Sequence, residues 1–389
     1  MIWSDALLDS KRTIIDPLAD EVVEKIIAER GEPEARNLFD LLIRQLETPV
    51  DQLPEVARHY LRQTNQLPEW ADPEKIALAH ELFIDHGPKM LLFLYYRSLP
   101  TLYSCANGAQ VLYHTARLVH DPTSITAFTR RIAETAQFLM DVMTPGNLKP
   151  GATGIRSIQK VRLIHASVRK FVRNKEWNPA WGLPINQEDL AITLMTFSVS
   201  LLDSLRKIKV EEDQERQEAF FHTWMAIGSL LGIDRDLLPN RLSDGYQLYH
   251  RILHRQSKPS EEGKLLTNAL IRFSEEVIPG KALDDTPEAM VYFLAGPEIA
   301  QNVGLKKMPG CLSWLGPSIM QFVFRLAERL EEKSDQWKRR IDRYALRLTQ
   351  AMLAHFNDYK GTNFSINDQL LKEWEIDQEL PKLYLAPFS

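Results

Sequence analysis

The stretch Gln159–Arg173, QKVRLIHASVRKFVR, decides how this chain reads. It holds neither proline nor glycine. Ile158, Val161, His165, Val168 and Val172 recur at steps of three and four, the period of one helix face. His165 therefore lies within an apolar stripe, with Arg162 three residues before it and Arg169 four after, close to the same face. One reading is plain: a satisfied core histidine between two surface arginines. The other is chemical. An imidazole in an apolar seam beside two fixed cations suits a planar, dianionic, metal-centred ligand such as haem, whose iron takes the imidazole and whose carboxylates take the arginines. These residues alone leave both readings open.

Upstream, Thr144–Gly154 (TPGNLKPGATG) must be a loop, and before it Ile125–Met143 reads as a helix capped by Thr123 or Ser124. Its apolar face is Ile125, Phe128, Ile132, Ala136, Leu139 and Met143. Arg131 and Thr135 stand on or beside that face, with Glu134 next to them; the plain alternative is a solvated Arg131–Glu134 pair and a neutral threonine. Two helices joined by such a loop can clamp a flat ligand, a geometry open to every helical hairpin. Downstream, Asn186 with Asp189 resembles a helix cap followed by acid in the first turn, opening a long apolar helix over Leu190–Ile208.

Further helices are expected over Glu212–Gly232, Asp244–His254, Ser260–Val277, Pro287–Asn302, Ser318–Lys333 and Asp335–Lys360. Towards the N-terminus, Asp16–Arg30, Glu32–Glu47 and Leu53–Thr64 carry helical periods and read as an accessory layer without chemistry. A helix from Pro73 should stop at Gly87-Pro88, and another over Lys89–Arg97 should stop at Leu99-Pro100, before a helical stretch over Cys105–Val119. His250 and His254 have a chelating spacing, but no acidic residue accompanies them and Arg251 and Arg255 crowd the pair.

No segment alternates with a period of two, so the fold class is all-α, and the whole chain, 1–389, is expected to form a single helical domain. A net charge of −5 gives no global pull towards nucleic acid. Cys105 and Cys311 are too far apart in sequence for a CxxC pair and fit a reducing compartment. The first residues lack the pattern of a secretory signal, and the longest apolar run, Met90–Tyr96, is far short of a membrane span. A soluble cytoplasmic protein is the expectation. P-loop, GxGxxG, GxSxG and paired ExxH motifs are absent, which concentrates the chemistry on one histidine.

The stretch from about Trp70 to Asn302 resembles the MpaB-type oxygenases, which include the latex clearing proteins or rubber oxygenases. The match rests on KVRLIHASVR (Lys160–Arg169), GLPINQEDLAITLMTFS (Gly182–Ser198) and RRIAETAQFL (Arg130–Leu139), with Arg131 and Thr135 standing 34 and 30 residues before His165. The resemblance implies a globin-like helical core over 67–302 holding one haem b, with additional helices over 1–66 and 303–389. His165 matches the family's proximal iron ligand. Arg162 and Arg169 match signature arginines that pair with propionates or support the ligand helix, and Arg131 and Thr135 match residues on the dioxygen side. The implied activity is haem-dependent use of dioxygen to cleave or oxygenate a hydrophobic, prenylated or unsaturated molecule. A non-catalytic haem protein, a gas sensor or haem carrier, is the alternative.

Two departures separate this chain from the rubber-cleaving branch. Glu134 replaces a lysine able to cap the iron and becomes a candidate acid–base group. Thr115 stands at the ungapped position of the branch's proposed catalytic base.

Overall fold

The computed structural model describes residues 3–35, 53–119, 125–173, 177–277, 286–305 and parts of 341–376. The helix expected at Ser318–Lys333, and most of the one expected at Asp335–Lys360, lie outside the described residues.

The N-terminal segment forms α1 (Asp5–Lys11), capped by the Ser4 side chain, and α2 (Pro17–Arg30), which starts on an Asp16 cap with proline in its first turn. Next comes α3 (Glu55–Gln63). Then α4 (Pro73–Phe93) runs straight through Gly87-Pro88, where the sequence predicts a stop. Pro88 has no N–H for the Ile84 carbonyl one turn earlier, and the Trp374 indole donates to it instead, Nε1 to O 2.8 Å. Gly87 makes room for that ring, since a Cβ there would fall 2.1 Å from Trp374 Cζ2. A stop signal has become a socket for an indole from the far end of the chain.

Leu99-Pro100 is no stop either. Leu94–Ser98 widens into a π-turn, and α5 (Leu99–Ser104) continues with Pro100 in its first turn. Beyond Cys105 come α6 (Ala106–Val119), α7 (Ile125–Met143) and α8 (Thr153–Arg173). The single helix expected over Leu190–Ile208 is two, α9 (Gln187–Phe197) and α10 (Val199–Lys207). The Ser98 hydroxyl donates to the Thr196 carbonyl at 2.8 Å and the Ser198 hydroxyl to that of Leu194 at 3.0 Å. These bonds occupy backbone acceptors where the chain turns.

Next, α11 (Gln214–Leu230) ends before Gly232, whose positive φ of 84° makes the turn. Then follow α12 (Leu242–Gln256), α13 (Glu261–Val277), α14 (Thr286–Leu294), α15 (Pro297–Asn302) and α16 (Asp368–Glu373). The protein is all-α. Among the described residues the only extended pairing is an isolated bridge between Cys105 and Ser257.

Two apolar clusters hold these helices. The larger includes Phe83, Tyr96, Leu139, Met195, Phe221 and Trp224, and the smaller joins Val22, Val23, Ile26 and Tyr60 to Leu163 and Ala166 of α8. Each such side chain contributes roughly 1.5–3 kcal/mol when fully buried. α8 belongs to both clusters: Ile155 and Ile158 enter the larger, Leu163 and Ala166 the smaller. It packs between α7 and α2, so the single stripe read from sequence is one of two buried faces.

Candidate functional site

His165 sits midway along α8. The residue is only partly accessible, its Nδ1 is completely enclosed, and that nitrogen has no hydrogen-bond partner among the described residues. Burial, with a further push from Arg169 and an opposing pull from Asp16, takes the imidazole down to a pKa of about 4. The ring is therefore neutral at ordinary pH, the form able to donate a lone pair. Leaving a buried polar atom unpaired costs about 1–3 kcal/mol, which makes this nitrogen a candidate ligand atom.

The flanking arginines are held from the N-terminal segment. Arg162 grips the Asp16 carboxylate with two nitrogens, Nε to Oδ2 2.6 Å and Nη2 to Oδ1 2.8 Å, and its Nη1 donates to the Leu230 carbonyl at 2.9 Å. All three guanidinium nitrogens are engaged. Arg169 donates through Nε to both oxygens of Asp20, at 2.8 and 3.2 Å, and through Nη1 to the Ile185 carbonyl at 3.4 Å. Its Nη2 is enclosed and has no partner among the described residues, although the side chain is only 2 % exposed. The segment read as an accessory layer thus supplies the counter-charges of both arginines that flank His165.

Across the helical hairpin, α7 carries Arg131, Glu134 and Thr135. Arg131 is largely enclosed. Burial pulls its guanidinium below the usual arginine range, while Tyr103 and Glu134 act the other way. Its Nη1 donates to the Leu112 carbonyl of α6 at 2.7 Å. The Thr115 hydroxyl donates to the same carbonyl at 3.1 Å and to that of Val111 at 2.8 Å. Arg131 and Thr115 therefore meet at one backbone oxygen. Glu134 is exposed.

Thr135 donates to the Arg131 carbonyl at 2.7 Å and lines a cleft with an empty volume, mouth included, of about 220 Å³. The other walls are Leu91, Leu94, Tyr95, Leu99, Ile132, Ala136 and Met352. Leu94 and Tyr95 belong to the π-turn, a backbone irregularity frequent at functional sites. The Tyr95 hydroxyl is already committed, donating to the Leu270 carbonyl at 2.6 Å. The threonine hydroxyl is thus the cleft's polar side-chain group that is not tied to a distant helix.

The GLPINQEDL stretch folds into a buried polar hub. Asn186 caps α9 by accepting from the Asp189 backbone at 3.0 Å, as its spacing predicts. The Glu188 carboxylate, fully buried, receives Arg12 Nη1 at 3.0 Å, Arg255 Nε at 2.9 Å and Gln256 Nε2 at 2.7 Å. Arg12 Nη1 also reaches Asp189 at 3.1 Å, and burial raises the Asp189 carboxyl to about 6 despite that contact.

Sequence reading missed Arg12, Asp16 and Asp20. A signal for them existed, three charged residues at four-residue spacing, but local patterning says nothing of which helix they face. His250 and His254 are both exposed, and no group of three or more His, Cys, Asp or Glu able to hold a metal ion occurs among the described residues. No helix among those residues is long and apolar enough to cross a membrane.

Comparison with known proteins adds to this geometry. A family model described as "ER-bound oxygenase mpaB/B'/Rubber oxygenase, catalytic domain" matches residues 96–322, more than half of the chain. The rubber oxygenase of Streptomyces sp. (strain K30) is 24% identical over 304 residues, covering 76% of this chain and 71% of that protein. The solved structure of latex clearing protein in its closed state superposes with a TM-score of 0.64 at 21% identity, covering 84% of this chain and 90% of that one. The second similarity shows a shared helical fold.

Proposed function

This chain belongs to the MpaB and rubber oxygenase catalytic-domain family, and from that premise we propose that it is a haem b-dependent oxygenase. Its reaction uses dioxygen to cleave or oxygenate a hydrophobic, unsaturated or prenylated substrate. The observation that carries the reading is His165, a neutral imidazole on a helix inside the matched region, with an enclosed ring nitrogen that nothing described satisfies. A porphyrin brings nitrogen ligands of its own, so one protein imidazole is enough to hold its iron.

The two arginines then take different parts. Arg162 has every guanidinium nitrogen engaged and braces α8. Arg169 retains one enclosed nitrogen without a partner among the described residues and is the guanidinium suited to a propionate. A bound haem with a single imidazole ligand supplies an open face for dioxygen chemistry.

The neighbouring helix α7 supplies further residues suited to dioxygen chemistry. Arg131 is anchored through the α6 backbone, and its cation would stabilise negative charge on oxygen. Thr135 places a hydroxyl at the wall of the cleft, the group that would offer a hydrogen bond to dioxygen or substrate there. The leucines, Ile132 and Ala136 make the wall of that narrow cleft apolar, the lining a hydrophobic substrate would prefer. Glu134 lies at the solvent edge of the same helix, and its part is proton exchange with water there.

The visible spectrum of haem-supplied protein, oxidised and reduced, tests the cofactor. Wild type should show a Soret band that His165→Ala abolishes or strongly shifts, and a colourless wild type refutes the reading. Dioxygen uptake with a panel of unsaturated lipids and prenylated compounds tests turnover. A normal spectrum with no uptake on any of them favours the carrier or sensor alternative.

A further inference from the structure

Arg12, Asp16 and Asp20 stand four residues apart, and each meets opposite charge from the region that the family model covers. Arg12 enters the Glu188–Asp189 hub, Asp16 holds Arg162 and Asp20 holds Arg169. None of the three lies within residues 96–322. We propose that Asp16 and Asp20 are positioning residues for His165, acting through Arg162 and Arg169, so that segment 12–20 is part of the site.

The argument is one of leverage and of charge. Arg162 and Arg169 are seven residues apart, two turns or about 10.5 Å along the helix, with His165 between them. A helix pinned at one point can still rotate or slide. Pinned at two points along nearly one stripe, α8 is fixed in both senses, and the direction of the imidazole is fixed with it.

The pins are well made. Asp16 contributes two short charge-assisted bonds with its side chain only 3 % exposed, and its neighbourhood tolerates no intrusion. A Cβ on Gly232 would fall 2.7 Å from Asp16 Oδ2 and 2.8 Å from Arg162 Nε. Charge balance follows from the same pairs. Two cations beside a neutral imidazole are matched by two carboxylates, so removing either carboxylate leaves net positive charge beside the ligand. That excess disfavours the oxidised, more positive iron.

The redox arm of the test rests on the haem reading, whereas the exchange arm does not. The full chain is prepared as wild type, Asp16→Asn, Asp20→Asn and Asp20→Glu. In haem-supplied protein the midpoint potential should rise in both Asn variants and return towards wild type in Asp20→Glu, which keeps the charge. In haem-free protein amide exchange over residues 160–172 should quicken about tenfold in the Asn variants, as the loss of a charged hydrogen bond requires. Potentials and exchange both indistinguishable from wild type overturn the proposal. If wild type takes up no haem, the functional reading falls and the exchange arm alone decides this one. Should Asp16→Asn fail to fold, the more accessible Asp20, 17 % exposed, carries the test with its Glu partner variant.

Discussion

On the α2 side of α8, Asp16, Asp20, Arg162 and Arg169 interlock through bonds of 2.6–3.2 Å. In the cleft lined by α7, hydrocarbon side chains surround the hydroxyl of Thr135, which among the described residues is bonded only within its own helix. The first region is directional and fully specified, because a displaced guanidinium leaves a buried charge without a partner. The second is held by non-directional burial, which accepts changes of shape provided volume is kept. The charged side therefore tolerates little displacement of α8, whereas the apolar side can change shape at small cost. Mutations on the two sides should separate into large stability effects with structural consequences and small stability effects with functional ones.

The largest effect is expected at the centre of the charged side. Arg162→Ala leaves Asp16 buried and unpaired and should cost about 3–5 kcal/mol, read as a shift in denaturant midpoint at constant slope. A loss below about 1 kcal/mol would mean that the pair is not the pin described above.

Next comes pH. The folded His165 titrates at about 4 and its unfolded form near the ordinary 6.5, so the unfolded chain takes a proton that the fold refuses. Its contribution to stability is intact above 6.5 and lost as pH falls towards 4, by up to about 3 kcal/mol. Asp141 and Asp189, raised by burial to about 6, act in the opposite sense, since stability falls as pH rises through their window. Subtracting the His165→Gln profile from the wild-type profile of haem-free protein cancels those carboxyls and isolates the imidazole. A flat difference between pH 4 and 6.5 would refute its enclosure.

Smaller again is Gly232→Ala, where a positive φ of 84° and the near approach of Asp16 and Arg162 together should cost about 2 kcal/mol in thermal or denaturant unfolding. The smallest stability effect belongs to the apolar side. Thr135→Val keeps the branched shape but loses the hydroxyl's bond to the Arg131 carbonyl, and should cost about 0.5–1.5 kcal/mol of unfolding free energy. Dioxygen uptake by the haem-supplied protein should nevertheless fall at least about tenfold. Unchanged uptake would remove Thr135 from the catalytic group.

Legibility in the sequence followed the range of the interaction. The helix carrying His165, the Asn186 cap and the start of α2 at Asp16-Pro17 were all readable, since each depends on residues within one or two turns. The stops at Gly87-Pro88 and Leu99-Pro100 were misread. Proline's local penalty at Pro88 is offset by an indole 286 positions away in the chain, which no local rule contains. Likewise Ser98 intercepts the carbonyl of Thr196 and helps to divide one expected helix into two.

By itself the sequence determined an all-helical chain, the face on which His165 lies and the two arginines that flank it, because helical periodicity is a short-range property of the backbone. Only the tertiary structure decided that Arg162 is spent on Asp16, that Arg169 keeps one enclosed nitrogen without a partner among the described residues, and that Thr135 opens on a cleft. Those outcomes depend on partners 146 and 149 residues away and on walls drawn from distant helices. A guanidinium's donors are the same in every sequence; what they meet is set by which helices pack together.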